Sequence, residues 1–127
     1  MIVGIGLDLC EIERMARAIE REHFVDRVFT AKEAERVRGV PTARAAEIAA
    51  GLFAAKEAVS KALGTGLAGI GMADIEITPD PAGRPTCVLL NKAQERARRL
   101  SGGAPFRVWV SITHEKGMAA ATAIIEK

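Results

Sequence analysis

The sequence predicts an α+β fold, an antiparallel sheet with a long helix packed on it, and three observations carry that expectation. Residues 53–63 carry no proline or glycine and repeat apolar side chains at helical spacing, within a helix expected to begin near Thr42. Two later stretches, 74–90 and 106–125, each read as a strand, a turn and a returning strand, and so supply antiparallel pairs. The opening residues 2–9 alternate as a further strand. No internal repeat, linker or low-complexity segment divides the chain, so residues 1–127 are expected to form one domain.

Ile2-Val-Gly-Ile-Gly-Leu-Asp-Leu9 places Val3, Ile5, Leu7 and Leu9 on one face and Ile2, Gly4, Gly6 and Asp8 on the other. Glycine weakens a strand unless a ligand or another backbone must come close, so the glycine face is where something approaches. Asp8 falls at the expected end of this strand, where it is either a metal ligand or a carboxylate at the start of the next helix. That helix is marked by Ile12, Met15, Ala16 and Ile19, with Glu13, Arg14, Arg17, Glu20 and Arg21 outward. Phe24, Val25, Val28 and Phe29 form a short apolar segment. Thr30 and Glu33 then have the spacing of a capping box, opening a helix that stops at Gly39-Val-Pro41.

Thr42 is the expected N-cap of the long helix, which ends at Gly64. Leu52, Ala55, Val59, Ala62 and Leu63 give its buried stripe. Phe53, Glu57, Lys61 and Gly64 lie on a neighbouring stripe, which sets a carboxylate one turn before an ammonium and just before a Gly-Thr-Gly exit. Two readings stay open for this stripe. Glu57 and Lys61 are a surface ion pair with Gly64 as an ordinary cap, or Glu57 holds a metal while Lys61 and the glycine turn hold phosphate oxygens.

Residues 64–71 hold four glycines and read as a loop. Asp74 to Thr78 alternates as a strand, turns at 79–85 and returns as Thr86 to Leu90. A helix follows from Asn91, a plausible N-cap, to Leu100, and its Arg96, Arg98 and Arg99 read as a solvated basic end. The next strand puts Phe106, Val108, Val110 and Ile112 on one face and Trp109 and Ser111 on the other. Thr113-His-Glu-Lys-Gly117 is read as the turn, and Met118 to Ile125 returns with four small alanines suited to close packing.

The totals exclude several classes. The chain is 49% hydrophobic and 27% charged, an ordinary soluble globular composition. A net charge of +2 does not argue for nucleic acid, and no aromatics interleave the arginine run, so no nucleic-acid partner is expected. No segment approaches a membrane span or a signal sequence, and Cys10 and Cys87 have no metal or disulfide spacing, so a reducing, cytoplasmic setting is expected.

No Ser-His-Asp, Cys-His or zinc-ligand pattern is visible. The residues able to do chemistry are Asp8, Glu57, Lys61, the Gly64-Thr-Gly66 turn, Ser111 and His114, the last of which, taken alone, reads more readily as a surface histidine than as a site residue. Two carboxylates on separate rigid elements suit Mg²⁺, which takes few protein ligands. Together, Gly6-Leu-Asp8 with Glu11-Ile-Glu-Arg14, Phe53-Ala-Ala-Lys-Glu57-Ala-Val-Ser-Lys61-Ala-Leu-Gly-Thr-Gly66 and Val110-Ser-Ile-Thr-His114 resemble the holo-acyl carrier protein synthases, small 4′-phosphopantetheinyl transferases. The likeness spans nearly the whole chain. Thr113 and Glu115 depart from the serine and aspartate expected at those positions.

The resemblance implies the 4′-phosphopantetheinyl transferase fold and transfer of phosphopantetheine from coenzyme A to a serine of apo-acyl carrier protein, releasing 3′,5′-ADP. It implies that Asp8 and Glu57 bind Mg²⁺, and that Lys61, Gly64 and Thr65 hold phosphate oxygens. It places Ser111 and His114 along the nucleotide, and Arg84 and Pro85 of the 82–85 loop beside the adenine. Arg14 matches a docking arginine for the acidic carrier protein, with Arg21 and Arg27 as further contacts, whereas Arg17 reads as solvated. A homotrimer with sites between subunits is also implied. Glu57 is the candidate general base for the incoming hydroxyl. The rivals are a non-catalytic module that binds coenzyme A or a nucleotide, which would not need the Asp8–Glu57 pair, and a basic RNA-binding protein.

Overall fold

The computed structural model describes residues 1–66 and 68–127; Leu67, in the predicted glycine loop, lies outside the described residues. The strands β1 (Ile2–Glu11), β5 (Met118–Glu126) and β4 (Arg107–Glu115) form an antiparallel sheet in that spatial order. Helix α4 (Thr42–Ala62) crosses one face of it. The approach is close because both surfaces are stripped of bulk. A Cβ at Gly4 would lie 1.9 Å from the Ala62 carbonyl oxygen, and one at Gly6 would lie 1.8 Å from that of Ala58. The glycine face of β1 is therefore the face that another backbone approaches. Ala119, Ala121 and Ala123 of β5 are buried in the same layer.

The expected stripe of α4 is buried, with Leu52, Ala55, Val59, Ala62 and Leu63 all at most 3% exposed. Burial goes further than one stripe predicts, since Ala54, Lys56, Ala58 and Ser60 are also sealed. The reason is a second cover. Helices α1 (Ile12–Ala18) and α3 (Ala31–Arg38) and strand β2 (Ile75–Pro79) all pack on α4, and α2 (Glu22–Val28) contacts α3. The apolar segment 24–29 is largely this α2. The Thr30–Glu33 capping box forms at the start of α3: Glu33 N donates to Thr30 Oγ1 at 3.4 Å and Thr30 N to Glu33 Oε1 at 2.9 Å. Strand β2 pairs with β3 (Pro85–Leu89) as a two-stranded hairpin. Asp80 ties its turn by accepting from the backbone of Ala82 and Arg84.

Four boundaries differ from expectation. Strand β1 continues to Glu11, so Asp8 lies within the strand, paired with Ala121, and not at its end. The N-cap of α4 is Pro41, whose extended backbone accepts from Ala45 N; Thr42 is already helical and caps nothing. In α5 (Asn91–Leu100) the cap position falls on Leu90, because Asn91 holds φ +49° and spends its side chain on Asp74 Oδ1 at 3.2 Å. Strand β4 continues to Glu115, because Lys116 at φ +50° and Gly117 at φ +79° complete a two-residue turn. His114 is thus a strand residue opposite Ala119.

The outer face of the sheet is apolar. Ile5, Leu7 and Leu9 are 71%, 61% and 63% exposed and Trp109 is 42% exposed. Among the described residues no helix is long and apolar enough to cross a membrane.

Candidate active site

Strand β1 and helix α4 meet at the glycine face, and the side chain that follows Gly6 on that face is Asp8. Its carboxylate Oδ1 accepts from Lys61 Nζ at 3.0 Å, and the same ammonium donates to the Leu7 carbonyl at 3.0 Å. Glu57 stands one turn before Lys61 on α4. Burial, and next the Asp8 charge, push the Glu57 carboxyl up from its ordinary range; Lys61 and Arg14 pull it the other way. Asp8, Lys61 and Arg14 thus all act on the Glu57 charge. Among the described residues Glu57 accepts no side-chain hydrogen bond, which leaves its oxygens free.

The helix then ends as the sequence predicts. Gly64 lies just past it at φ +82°, its N–H donating to Lys61 O, and Thr65 Oγ1 donates to Gly66 O. Arg96, expected only as part of a solvated helix end, reaches back and donates to Leu63 O at 2.9 Å.

A groove beside this cluster is lined by Arg14, Arg17, Arg21, Phe24 and Phe53, with Cys10 and Met15 at its floor. Phe24 and Phe53 stack at 6.3 Å between centroids, and the Arg21 guanidinium lies 5.7 Å over the Phe24 ring. The structure therefore groups Arg14 and Arg21, adds Arg17 (which also pairs with Glu13 at 3.6 Å), and leaves Arg27 outside the groove on α2.

The remaining predicted residues lie elsewhere. Pro85 and His114 share a cleft of about 190 Å³ with Arg36, Arg44, Glu47 and Thr78. His114 Nδ1 lies 3.3 Å from Glu47 Oε2, and Arg44 lies 3.9 Å from the other oxygen. Arg84 is exposed and turns to Asp80 at 3.5 Å. Ser111 is exposed on the outer face of the sheet, in a row with Thr122 and Leu7. Glu47 and Glu57 are ten residues apart on α4, about 15 Å along the helix. One chain thus carries two separate groups of candidate residues, a carboxylate–lysine cluster and a cleft around His114. Sequence reasoning missed Arg36, Arg44 and Glu47; the spacing of Arg44, Glu47, Ile48 and Gly51 along one helix face was the available signal.

No group of three or more His, Cys, Asp or Glu side chains able to hold a metal occurs among the described residues. Asp8 and Glu57 nonetheless offer the donor chemistry a hard divalent cation takes, carboxylate oxygens on two different rigid elements.

An α+β fold with a carboxylate pair, a lysine and a glycine turn at a strand–helix contact suits a small phosphate-handling transferase. Comparison with known families identifies which one. The model of the 4′-phosphopantetheinyl transferase superfamily matches residues 4–121, and the chain belongs to that superfamily. Within it the full-length likeness is to holo-[acyl-carrier-protein] synthases. That of Methylobacterium radiotolerans is 50% identical over 99% of this chain and 94% of its own. That of Fusobacterium nucleatum is 41% identical over 98% and 99%. The crystal structure of the Bacillus anthracis synthase in complex with CoA (3′,5′-ADP) superposes with a TM-score of 0.82 at 34% identity, covering 100% of this chain and 98% of the other.

Proposed function

We propose that the whole chain, residues 1–127, acts as one domain that moves the 4′-phosphopantetheine arm of coenzyme A onto a serine of apo-acyl carrier protein. The reaction depends on Mg²⁺ and leaves adenosine 3′,5′-bisphosphate. The observation that carries this is the Asp8–Glu57–Lys61 cluster beside a groove lined by arginines and phenylalanines.

The incoming nucleophile is the partner's hydroxyl, which attacks the phosphorus bearing the pantetheine arm while the bond to the departing ADP oxygen breaks. The chain's own buried nucleophiles are poorly suited to that task. Ser60 Oγ donates to Glu57 O, and burial pushes both thiols up, that of Cys87 to about 12. Glu57, with its raised carboxyl and free oxygens, takes the serine proton. Lys61 and the Gly64-Thr65 turn hold phosphate oxygens and offset charge on the leaving group. Asp8 and Glu57 would hold the Mg²⁺, whose contribution is to neutralise pyrophosphate charge. Arg14 and Arg21 receive the acidic face of the carrier protein, with Phe24 and Phe53 giving the apolar part of the contact.

The nucleotide half of coenzyme A belongs to the cleft of Pro85 and His114, with Arg84 beside Pro85; Ser111, on the outer face of the sheet, does not line it. The working form is a homotrimer, as the family resemblance implies, in which one subunit's cleft faces another's carboxylates; the separation of about 15 Å between the two groups in one chain supports that reading. The exposed apolar row Ile5, Leu7, Leu9 and Trp109 supports burial against a second copy. The enzyme works in the cytoplasm, serving fatty-acid synthesis. The test is the intact mass of apo-acyl carrier protein after incubation with the chain, coenzyme A and Mg²⁺. A gain of one phosphopantetheine arm is expected. Coenzyme A binding without that gain would instead support a binding module.

A further inference from the structure

Lys56 and Glu33 are both 0% exposed and take no part in the chemistry above. A buried ion pair is weak evidence for stability, because removing two charges from water costs about as much as their attraction returns. Its geometry is therefore worth following atom by atom. Glu33 Oε1 accepts from Thr30 N at 2.9 Å and lies 2.6 Å from Lys56 Nζ; its Oε2 accepts from Ile77 N at 2.7 Å. Lys56 Nζ further donates to Met72 O at 2.9 Å and to Ile75 O. Every proton of the ammonium is used, and both carboxylate oxygens are engaged.

The targets of these bonds are not scattered. Met72, Ile75 and Ile77 are the entry and the body of β2. The next residues, Thr78 and Pro79, together with Ile77, wall the cleft that holds Pro85 and His114; the opposite wall is Ile48, Gly51 and Leu52 of α4. Lys56 is also the residue immediately before Glu57. The strand that carries one wall of the cleft is thus pinned at two alternate residues, by Ile75 O to Lys56 of α4, the helix that carries the catalytic carboxylate, and by Ile77 N to Glu33 of α3, itself bound to Lys56. Apolar packing alone would allow β2 to slide on α4, because apolar contact is non-directional. Charge-assisted bonds to fixed carbonyl and N–H groups do not allow it.

We propose that the Glu33–Lys56 pair is a positioning device that sets the width of the nucleotide cleft by fixing β2 against α4. This inference rests on the transferase reading only for the identity of the cleft's occupant. Neither residue touches the substrate. The pair acts through Ile75 and Ile77.

The experiment measures transfer kinetics and, separately, coenzyme A binding by calorimetry, for the full chain and for Lys56→Met, Glu33→Gln and the double variant Glu33→Gln/Lys56→Met. The double variant removes the uncompensated buried charge but not the lost bonds to Ile75 O and Met72 O. We expect the KM and Kd for coenzyme A to rise at least about tenfold in Lys56→Met and in the double variant, with kcat at saturating coenzyme A and the KM for carrier protein within about twofold. Glu33→Gln, which keeps one acceptor, falls between. Recovery of both thermal stability and coenzyme A affinity in the double variant would make the pair merely structural and overturn the proposal. Unchanged affinity in folded single variants would do the same. If none of the three folds, the pair holds the whole chain together, and the proposal falls. A wild-type chain that binds coenzyme A without transferring its arm sinks the transferase reading, while the affinity series still decides this one. A wild-type chain that binds no coenzyme A removes both.

Discussion

Helix α4 carries two lysines five residues apart, each facing a carboxylate from another element, and they are built on opposite principles. Lys56 is sealed and meets Glu33 with every donor and acceptor satisfied. Lys61 is half-exposed, shares itself between Asp8 and the Leu7 carbonyl, and stands beside a Glu57 whose oxygens accept no side-chain hydrogen bond among the described residues. Burial lowers the Lys56 pKa against the opposing pull of Glu33, whereas at the other end burial and Asp8 raise that of Glu57. A satisfied cluster fixes one geometry. An unsatisfied one holds like charges in a state that a cation, or a proton from a substrate, can relieve.

The largest effect that would break this comparison is loss of chemistry at the open cluster without loss of fold. Glu57→Gln is expected to lower kcat by about 10²- to 10⁴-fold, the usual weight of a general base, with Tm no lower than wild type. Asp8→Asn should weaken activation by Mg²⁺ along with rate. If Glu57→Gln turns over normally, the base lies elsewhere.

The closed cluster should behave in reverse. Lys56→Met leaves Glu33 buried without its counter-charge, at a cost of roughly 3–5 kcal/mol, or roughly 10–20 °C in Tm for a chain of this size. Thermal denaturation followed by circular dichroism measures it. The double variant with Glu33→Gln should regain most of that loss. A single-variant drop of only a few degrees would mean that water reaches the pair and that it is not the closed cluster described.

A smaller effect sharpens the division between groove and helix surface. Arg14→Glu is expected to raise the KM for acyl carrier protein about tenfold and leave that for coenzyme A unchanged, because Arg14 lines the groove beside Glu57. Arg27→Glu, outside the groove, should change it by less than about twofold. Equal effects would mean that net charge, not the groove, recruits the partner.

Legibility in the sequence follows the same divide. Signals that act over a few residues were readable: the glycines at 4 and 6, the capping box at Thr30 and Glu33, the Gly64 exit, and the hairpins around 79–85. The face bearing Asp8 was readable, but its place mid-strand was not, because β1 continues through Cys10 and Glu11, which pair with Ala119 and Met118 of β5. Lys56 sat within the motif of the long helix without a role of its own. Its burial depends on Glu33, twenty-three positions earlier, whose carboxylate already had a local role in the cap. His114 read as a turn residue because the turn that displaces it needs only Lys116 and Gly117, and a positive φ at lysine is not signalled by composition. Its partner Glu47 lies on a different element, and no local pattern links the two.

The smallest prediction concerns stability at the open cluster. The folded pKa of Glu57 is raised, so between its unfolded value of about 4.5 and that higher folded value the native state holds more proton than the unfolded state. Stability therefore falls as pH climbs through that window, and by neutral pH the ionised Glu57 opposes folding. Glu57→Gln removes the penalty. Its Tm should exceed that of wild type at pH 7, and the difference should shrink toward zero at pH 4, where wild-type Glu57 is protonated in both states. Saturating Mg²⁺ should abolish the advantage as well, because a cation between Asp8 and Glu57 offsets the repulsion that the substitution relieves. A Tm advantage independent of pH would assign the gain to packing rather than charge. No advantage at all would mean that Lys61 and Arg14 already balance the cluster, and that its readiness to take a proton comes from something other than strain between the two carboxylates.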